Sequence, residues 1–132
     1  MVQKVILDSN IIIDIYNGIE KTWKEVQRIG ITNLCISVIT YSEAIYGAAN
    51  KTDRTKWKKH LEKYSILHIN QHIGNLFTGL MDKYALSHNL MIPDALIAAT
   101  AIYYKIPLYT ENKKDFEFIP NLVLYKNILL DI

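Results

Sequence analysis

Three carboxylates in this chain stand at the borders of apolar runs. Asp8 closes Val5-Ile6-Leu7 and opens Ser9-Asn10-Ile11-Ile12-Ile13. Glu43 lies in Ser37-Val38-Ile39-Thr40-Tyr41-Ser42-Glu43-Ala44, and Asp94 follows Pro93 at the head of Ala95-Leu96-Ile97-Ala98-Ala99-Thr100-Ala101. Acids in such places either cap helices or belong to a site. Carboxylates gathered from distant positions repel one another unless a hard divalent cation offsets the charge. The pattern therefore points to metal-assisted chemistry. Asp94 sits where unpaired N–H groups and the helix dipole favour the ionised form that a metal ligand must have, although a plain N-cap satisfies the same conditions. Asp8 ends a buried strand and needs a partner. Ser9 and Asn10 offer it hydrogen bonds but cannot neutralise it. Glu43 taken singly reads as a solvated helix residue, yet the small apolar neighbours Ala44-Ile45-Tyr46-Gly47-Ala48-Ala49 leave little solvent around it.

The elements that must position these acids follow from periodicity. Val2 to Leu7 is a β-rich run without helical period, hence a buried strand. Asn10 to Tyr16 reads as a short helix ended by Asn17-Gly18, with Ile11, Ile12, Ile13 and Ile15 buried; Asp14 is close enough to Asp8 in sequence to join a site, but reads better as exposed. Ile19, Trp23, Val26 and Ile29 form a helical stripe stopped by Gly30. Leu34 to Val38 is a second strand. A helix from Thr40 to Ala49 turns Ala44, Ile45, Ala48 and Ala49 inward. Asp53 caps a helix from Arg54 to about Tyr64. Ser65 to Ile69 is a third strand, and Gln71 to His88 a long amphipathic helix. Pro93 starts a helix running to about Lys105. Pro107 to Tyr109 is a fourth strand, Lys113 to Phe116 a turn of helix, and Leu122 to Leu124 a candidate fifth strand. Strands separated by helices imply an α/β sandwich, a parallel sheet of four to five strands with helices on both faces. In such sheets ligands bind beyond the carboxyl ends of the strands. Asp8, Glu43 and the segment Thr110 to Asp115 all follow strands at that edge.

Composition bounds the reading. The chain has 132 residues, half of them hydrophobic and 21% charged, with five Gly and three Pro, which suits one domain with its own core and no linker. Cys35 is the lone cysteine, so an intrachain disulfide, a zinc cluster and a CxxC redox pair are excluded; it reads as a buried strand residue. No export signal is visible, and the longest apolar run, Ala95 to Tyr104, is about half of a membrane span. The expected setting is reducing and cytoplasmic. With four acids assigned to an inward cluster, the other nine face fifteen Lys and Arg, and the remainder of the net +2 chain carries +6. A basic surface around an acidic pit suits an anionic polymer.

Taken together, the segments Ile6-Leu7-Asp8-Ser9-Asn10, Ser42-Glu43-Ala44-Ile45-Tyr46-Gly47, Ile92-Pro93-Asp94-Ala95-Leu96-Ile97-Ala98-Ala99-Thr100-Ala101 and Leu108-Tyr109-Thr110-Glu111-Asn112-Lys113-Lys114-Asp115-Phe116 resemble the PIN-domain nucleases. The likeness is to the VapC-like ribonuclease toxins of type II toxin–antitoxin systems in particular. It runs in the family's order over nearly the whole chain, with the block at Asp94 the most specific piece. The resemblance implies a single PIN-like nuclease domain over residues 1–132. It implies a site of Asp8, Glu43, Asp94 and Asp115, supported by Ser9, Asn10, Thr110 and Asn112. Glu111 is a rival for the fourth place, but Asp115 is preferred because Asp-Phe matches the motif and Phe116 would anchor it. Ser9 replaces the Thr often found there and keeps the hydroxyl. The implied activity is metal-dependent hydrolysis of RNA phosphodiesters. Mg²⁺ or Mn²⁺ suits this donor set, since these ions prefer carboxylate and water oxygens and no His or Cys set competes. The implied partners are RNA, a small antitoxin protein that blocks the site, and a second copy of the chain.

Other features carry less. Lys51, Arg54, Lys56, Lys58, Lys59 and Lys63, with Trp57 and His60 among them, could guide RNA, but a solvated helix with Trp57, Leu61 and Tyr64 in the core explains them too. The nine Tyr offer stacking surfaces for bases, although most suit core or interface places. The four His follow no zinc spacing. A haloacid-dehalogenase phosphatase would need a second Asp where Asn10 stands, and a receiver domain would need paired acids that are lacking. A housekeeping RNA-processing nuclease and a noncatalytic RNA-binding module of the same fold are the remaining alternatives.

Overall fold

A computed structural model describes residues 3–127. The elements, in order, are β1 (Val5–Leu7), α1 (Ser9–Tyr16), α2 (Glu20–Ile29), β2 (Leu34–Ser37), α3 (Val38–Tyr46), α4 (Lys51–Leu61), β3 (Ser65–Leu67), α5 (Gln71–Tyr84), α6 (Ile92–Tyr104) and β4 (Leu108–Tyr109), with short 3₁₀ turns at Ile31–Asn33 and Lys113–Asp115. The four strands form one parallel sheet in the order β3-β2-β1-β4. Val5 pairs with Leu34, and Leu7 with Tyr109. The candidate fifth strand shrinks to a single parallel bridge between Leu124 and Leu108. The sheet is therefore the expected one.

The period-2 alternation of the strands splits their side chains between two cores. Val5, Leu7, Leu34, Ile36 and Tyr109 pack with Ile11, Ile12, Ile15, Val26, Leu61 and Tyr64. Ile6, Cys35 and Leu108 face the other way, against Tyr84, Ala95, Ile97, Ala98, Ala101 and Phe116. Ala95, Ala98 and Ala101 of α6 pack into that second core. That helix ends at Lys105 in the left-handed conformation, φ +57°.

Several boundaries move, each for a local reason. The helix after β2 begins at Val38, where Ser37 Oγ accepts the Thr40 N–H at 3.2 Å, and it ends at Tyr46, leaving Ala49 exposed. The next helix is capped by Asn50, not Asp53. Asn50 Oδ1 accepts the Asp53 N–H at 2.8 Å, while Asp53 Oδ2 accepts the Ala49 N–H at 2.9 Å. That reciprocal pair moves the start three residues upstream. α5 stops at Tyr84, whose carbonyl accepts the N–H groups of His88 and Leu90. On α1, Ile13 is 48% exposed, and Asp14 is partly buried in its place. The basic residues of α4 are all exposed, with Trp57 stacked on Tyr16 at 3.9 Å between centroids. That helix is a solvated face over an aromatic stem. The first residue of the expected strand, Val2, lies outside the described residues.

Candidate active site

The connections change direction between β1 and β4. From β1 the chain steps to β2 and β3 on one side, then returns to β4 on the other. Such a switch point opens a crevice at the carboxyl ends of the two strands. Asp8 follows β1, Thr110 follows β4, and the Asp8 N–H donates to the Tyr109 carbonyl at 2.9 Å. The Thr110 hydroxyl donates to Asp8 Oδ2 at 2.7 Å and accepts the Asn112 N–H at 3.0 Å. Asp8 Oδ1 accepts the Ser9 N–H at 2.8 Å, so this carboxylate also caps α1. Asn10 spans the crevice. Its Nδ2 lies 3.4 Å from both Asp8 Oδ2 and Thr110 Oγ1, and its Oδ1 accepts the Glu111 N–H at 3.4 Å. Asp8 is only 6% exposed. Burial raises its pKa, the bonds from Thr110 and Ser9 pull it back, and the charge of Asp115 adds to the rise.

Three further acids face this crevice. Glu43, in the second turn of α3, accepts the Ser9 hydroxyl at 3.0 Å. It is exposed, contrary to the expectation from its small neighbours: Ala44 and Gly47 instead leave a hollow of about 270 Å³ beside it, shared with Ser9, Ile12 and Trp57. Asp94 sits in the first turn of α6. It does not cap that helix, because Met91 occupies the N-cap position and Pro93 the first turn. Burial first, and then the charges of Asp8, Asp115 and Glu43, push Asp94 up to about 6. Asp115 ends the 3₁₀ turn after β4, fixed by Phe116, which is 1% exposed in the second core. Asp94 and Asp115 together line a hollow of about 270 Å³. The four acids thus come from four separate segments and act electrostatically on one another.

Glu111 takes a different course. It hydrogen-bonds to Asp14, and that bond, burial and the Asp14 charge push it up to about 7, against the pull of Lys21. Asp14 in turn accepts the Thr22 hydroxyl at 3.1 Å. A carboxyl pair linking α1 to the loop after β4 was not foreseen from the sequence, where Asp14 read as exposed. Glu25 was also missed. It is 1% exposed in α2, its Oε1 is held by Arg28 Nε at 2.6 Å and by the Tyr125 hydroxyl at 3.3 Å, and its Oε2 has no hydrogen-bond partner among the described residues. The available signal was the i, i+3, i+4 spacing of Thr22, Glu25 and Val26, which lays polar side chains along the buried stripe.

Residues 5–120 match the PIN domain family. The chain belongs to that family. Among its relatives, Ribonuclease VapC1 of Methanocaldococcus jannaschii is 28% identical over 116 residues, covering 86% of this chain and 79% of the relative. A toxin-antitoxin complex from Klebsiella pneumoniae contains a chain that superposes with a TM-score of 0.77 at 31% identity, over 93% of this chain and 99% of the other. VapBC2 from Rickettsia felis, bound to a DNA fragment from its promoter, contains one at 0.73 and 26% identity, over 93% and 98%. The PIN-domain assignment agrees with the resemblance read from the four sequence blocks, and the parallel sheet agrees with the fold expected of it.

The donor set fits a hard cation, with one qualification of geometry. Among the described residues no three Asp, Glu, His or Cys side chains stand close enough together to hold an ion directly between them. Mg²⁺ commonly binds through one or two carboxylates and retains several waters, so widely spaced acids with a shared excess of negative charge suit it. No helix among the described residues is long and apolar enough to cross a membrane.

Proposed function

We propose that this PIN domain is an endoribonuclease of the toxin–antitoxin kind, hydrolysing RNA phosphodiesters at the crevice between β1 and β4 with Mg²⁺ or Mn²⁺. The observation that carries the reading is the gathering of Asp8, Glu43, Asp94 and Asp115 from four distant segments at one sheet edge, where the charges of the other three act on Asp94. Uncompensated negative charge of that kind destabilises the fold unless a cation or a proton relieves it. Asp8, Glu43, Asp94 and Asp115 would hold the ion among them, in part through the waters it retains. When bound, the cation lowers the pKa of a water and offsets charge building on the phosphate. The chain's own residues do the rest. Thr110 and Asn10 hold Asp8 in one orientation, Ser9 links Glu43 to the start of α1 beside Asp8, and one of the four carboxylates accepts the water's proton. Attack by water leaves a 5′-phosphate and a 3′-hydroxyl.

The toxin reading draws on the kinds of protein this chain is similar to: a relative named as a ribonuclease and structures of toxin-antitoxin complexes. On it, the chain is one nuclease domain over residues 1–132, acts in the cytoplasm, pairs with a second copy, and is silenced by a small antitoxin protein. The deciding experiment incubates purified protein with RNA, with and without EDTA, and maps the ends produced. Cleavage that requires the divalent ion, leaves 5′-phosphates and disappears in Asp94→Asn is expected. Ends bearing 2′,3′-cyclic phosphate, or cleavage that survives EDTA, would overturn the mechanism. Binding without cleavage by the wild type would favour a noncatalytic module.

A further inference from the structure

Beside the acid cluster runs a groove of about 680 Å³, larger than the two hollows around the acids themselves. Its composition differs from theirs. Lys21 on α2 and Lys113 and Lys114 on the turn after β4 line it, whereas among the described residues no lysine or arginine lines the hollows holding Asp94 and Glu43. The groove and the acid cluster share Thr110 and Asp115, so a molecule lying in the groove ends at the reacting centre. One wall is aromatic. Tyr125, half-buried, stands there against Tyr109, which is buried in the first core, with 5.1 Å between ring centroids and a tilt of 44°. Tyr125 is held in place there, its hydroxyl donating to Glu25 and accepting from Arg28 Nη2 at 3.1 Å. Another wall is Glu111, backed by Asp14 and Thr22.

Cationic side chains, an aromatic ring and a fixed hydrogen-bonding group within one recess are the requirements for a nucleotide of a single strand: phosphates for the lysines, a base for the ring of Tyr125 and for the polar edge. The volume lies in the range of small-molecule sites and takes a nucleotide with room to spare. We propose that this groove seats the nucleotide adjoining the scissile phosphate. Lys21 and Lys114 grip the backbone, and Glu111, positioned by Asp14, faces the base as a specificity-determining residue. The proposal rests on the nuclease reading for its substrate class but assigns residues outside the four acids. It also separates these lysines from the basic face of α4, none of whose residues lines the groove.

The test measures binding of fluorescein-labelled single-stranded RNA oligonucleotides by anisotropy over a salt series, using the intact Asp94→Asn protein so that no cutting occurs. Lys21→Gln and Lys114→Gln alter exposed side chains and leave the fold intact, which circular dichroism checks. Each is expected to weaken binding of every sequence and to reduce the slope of log Kd against log salt by about 0.7, the value for one phosphate contact on a single strand. Lys59→Gln on α4 is expected to change neither. In the cleavage-competent protein, Glu111→Gln is expected to redistribute the mapped cut sites without abolishing cutting. Unchanged slopes for both groove lysines, or a drop only for Lys59→Gln, would overturn the proposal even if the wild type cuts RNA. If the groove variants behave as expected while the wild type with Mg²⁺ fails to cut, the nuclease reading falls and the groove stands as a single-stranded RNA site without a scissile phosphate beside it.

Discussion

Asp94 combines position and charge in a way that can be measured. Its carboxyl is pushed to about 6 from an ordinary 3.8, first by burial and then by Asp8, Asp115 and Glu43. Between those two pH values the folded chain keeps a proton that the unfolded chain has lost, so this group's contribution to stability falls as pH rises from about 4 to about 6. In metal-free protein, Asp94→Asn removes that fall. The melting temperature of the variant should therefore exceed that of the parent by a margin that widens between pH 4.5 and pH 7. A margin independent of pH would show that neither burial nor the other acids raise the pKa of Asp94 in the folded chain. Asp8 is held differently: its two oxygens have named donors, and the rise from burial is partly undone by Thr110 and Ser9. Both acids are raised first by burial, and for Asp8 hydrogen bonds offset part of the rise.

At the scale of elements, each acid depends on the piece of chain that carries it. Asp8 is delivered by β1 and Asp94 by the first turn of α6, both anchored in the sheet and its two cores. Asp115 rides on a single 3₁₀ turn, whose hold on the domain is Phe116 packed in the second core. Phe116→Ala should cost roughly 3–5 kcal/mol in urea unfolding, the usual range for emptying such a site. Phe116→Leu keeps most of the volume, so it should fold while cutting RNA more slowly well below its melting temperature. Full activity in Phe116→Leu would mean that Asp115 is placed by something other than this anchor. Asn50 and Asp53 teach a related lesson about helix starts. Either residue could cap α4, and the choice fell to Asn50 because Asp53 is then free to close the reciprocal bond to Ala49.

For the whole molecule, the surplus of acid at one sheet edge makes folding and ion binding a linked equilibrium on the proposed reading. A cation that binds only the folded chain stabilises it by about 2.7 kcal/mol at a free concentration of a hundred times Kd. Mg²⁺ or Mn²⁺ should therefore raise the melting temperature of the wild type at pH 7 beyond the effect of NaCl at equal ionic strength. EDTA should reverse the rise, and Asp94→Asn should blunt it. Equal melting curves with and without the ions would count against a metal at this edge. The groove adds a second kind of ligand at the same edge, read from its salt dependence and not from divalent ions.

The amino-acid sequence by itself determined the alternation of strand and helix, and with it the parallel sheet. Apolar period and chain direction are local properties, and parallel strands require crossovers long enough to hold a helix. It also marked Asp8, Glu43, Asp94 and Asp115, because their motifs are contiguous. Tertiary structure decided which acids act on which. Asp115 joined Asp8 and Asp94, while Glu111, four residues earlier, turned to Asp14, which the helical pattern had assigned to solvent. The pairing across α1 and the β4 loop depends on strand order, which places β4 beside β1, and no spacing within the chain encodes that adjacency. For the same reason the lysines that line the groove are Lys21, Lys113 and Lys114, scattered in sequence, and not the conspicuous basic run of α4.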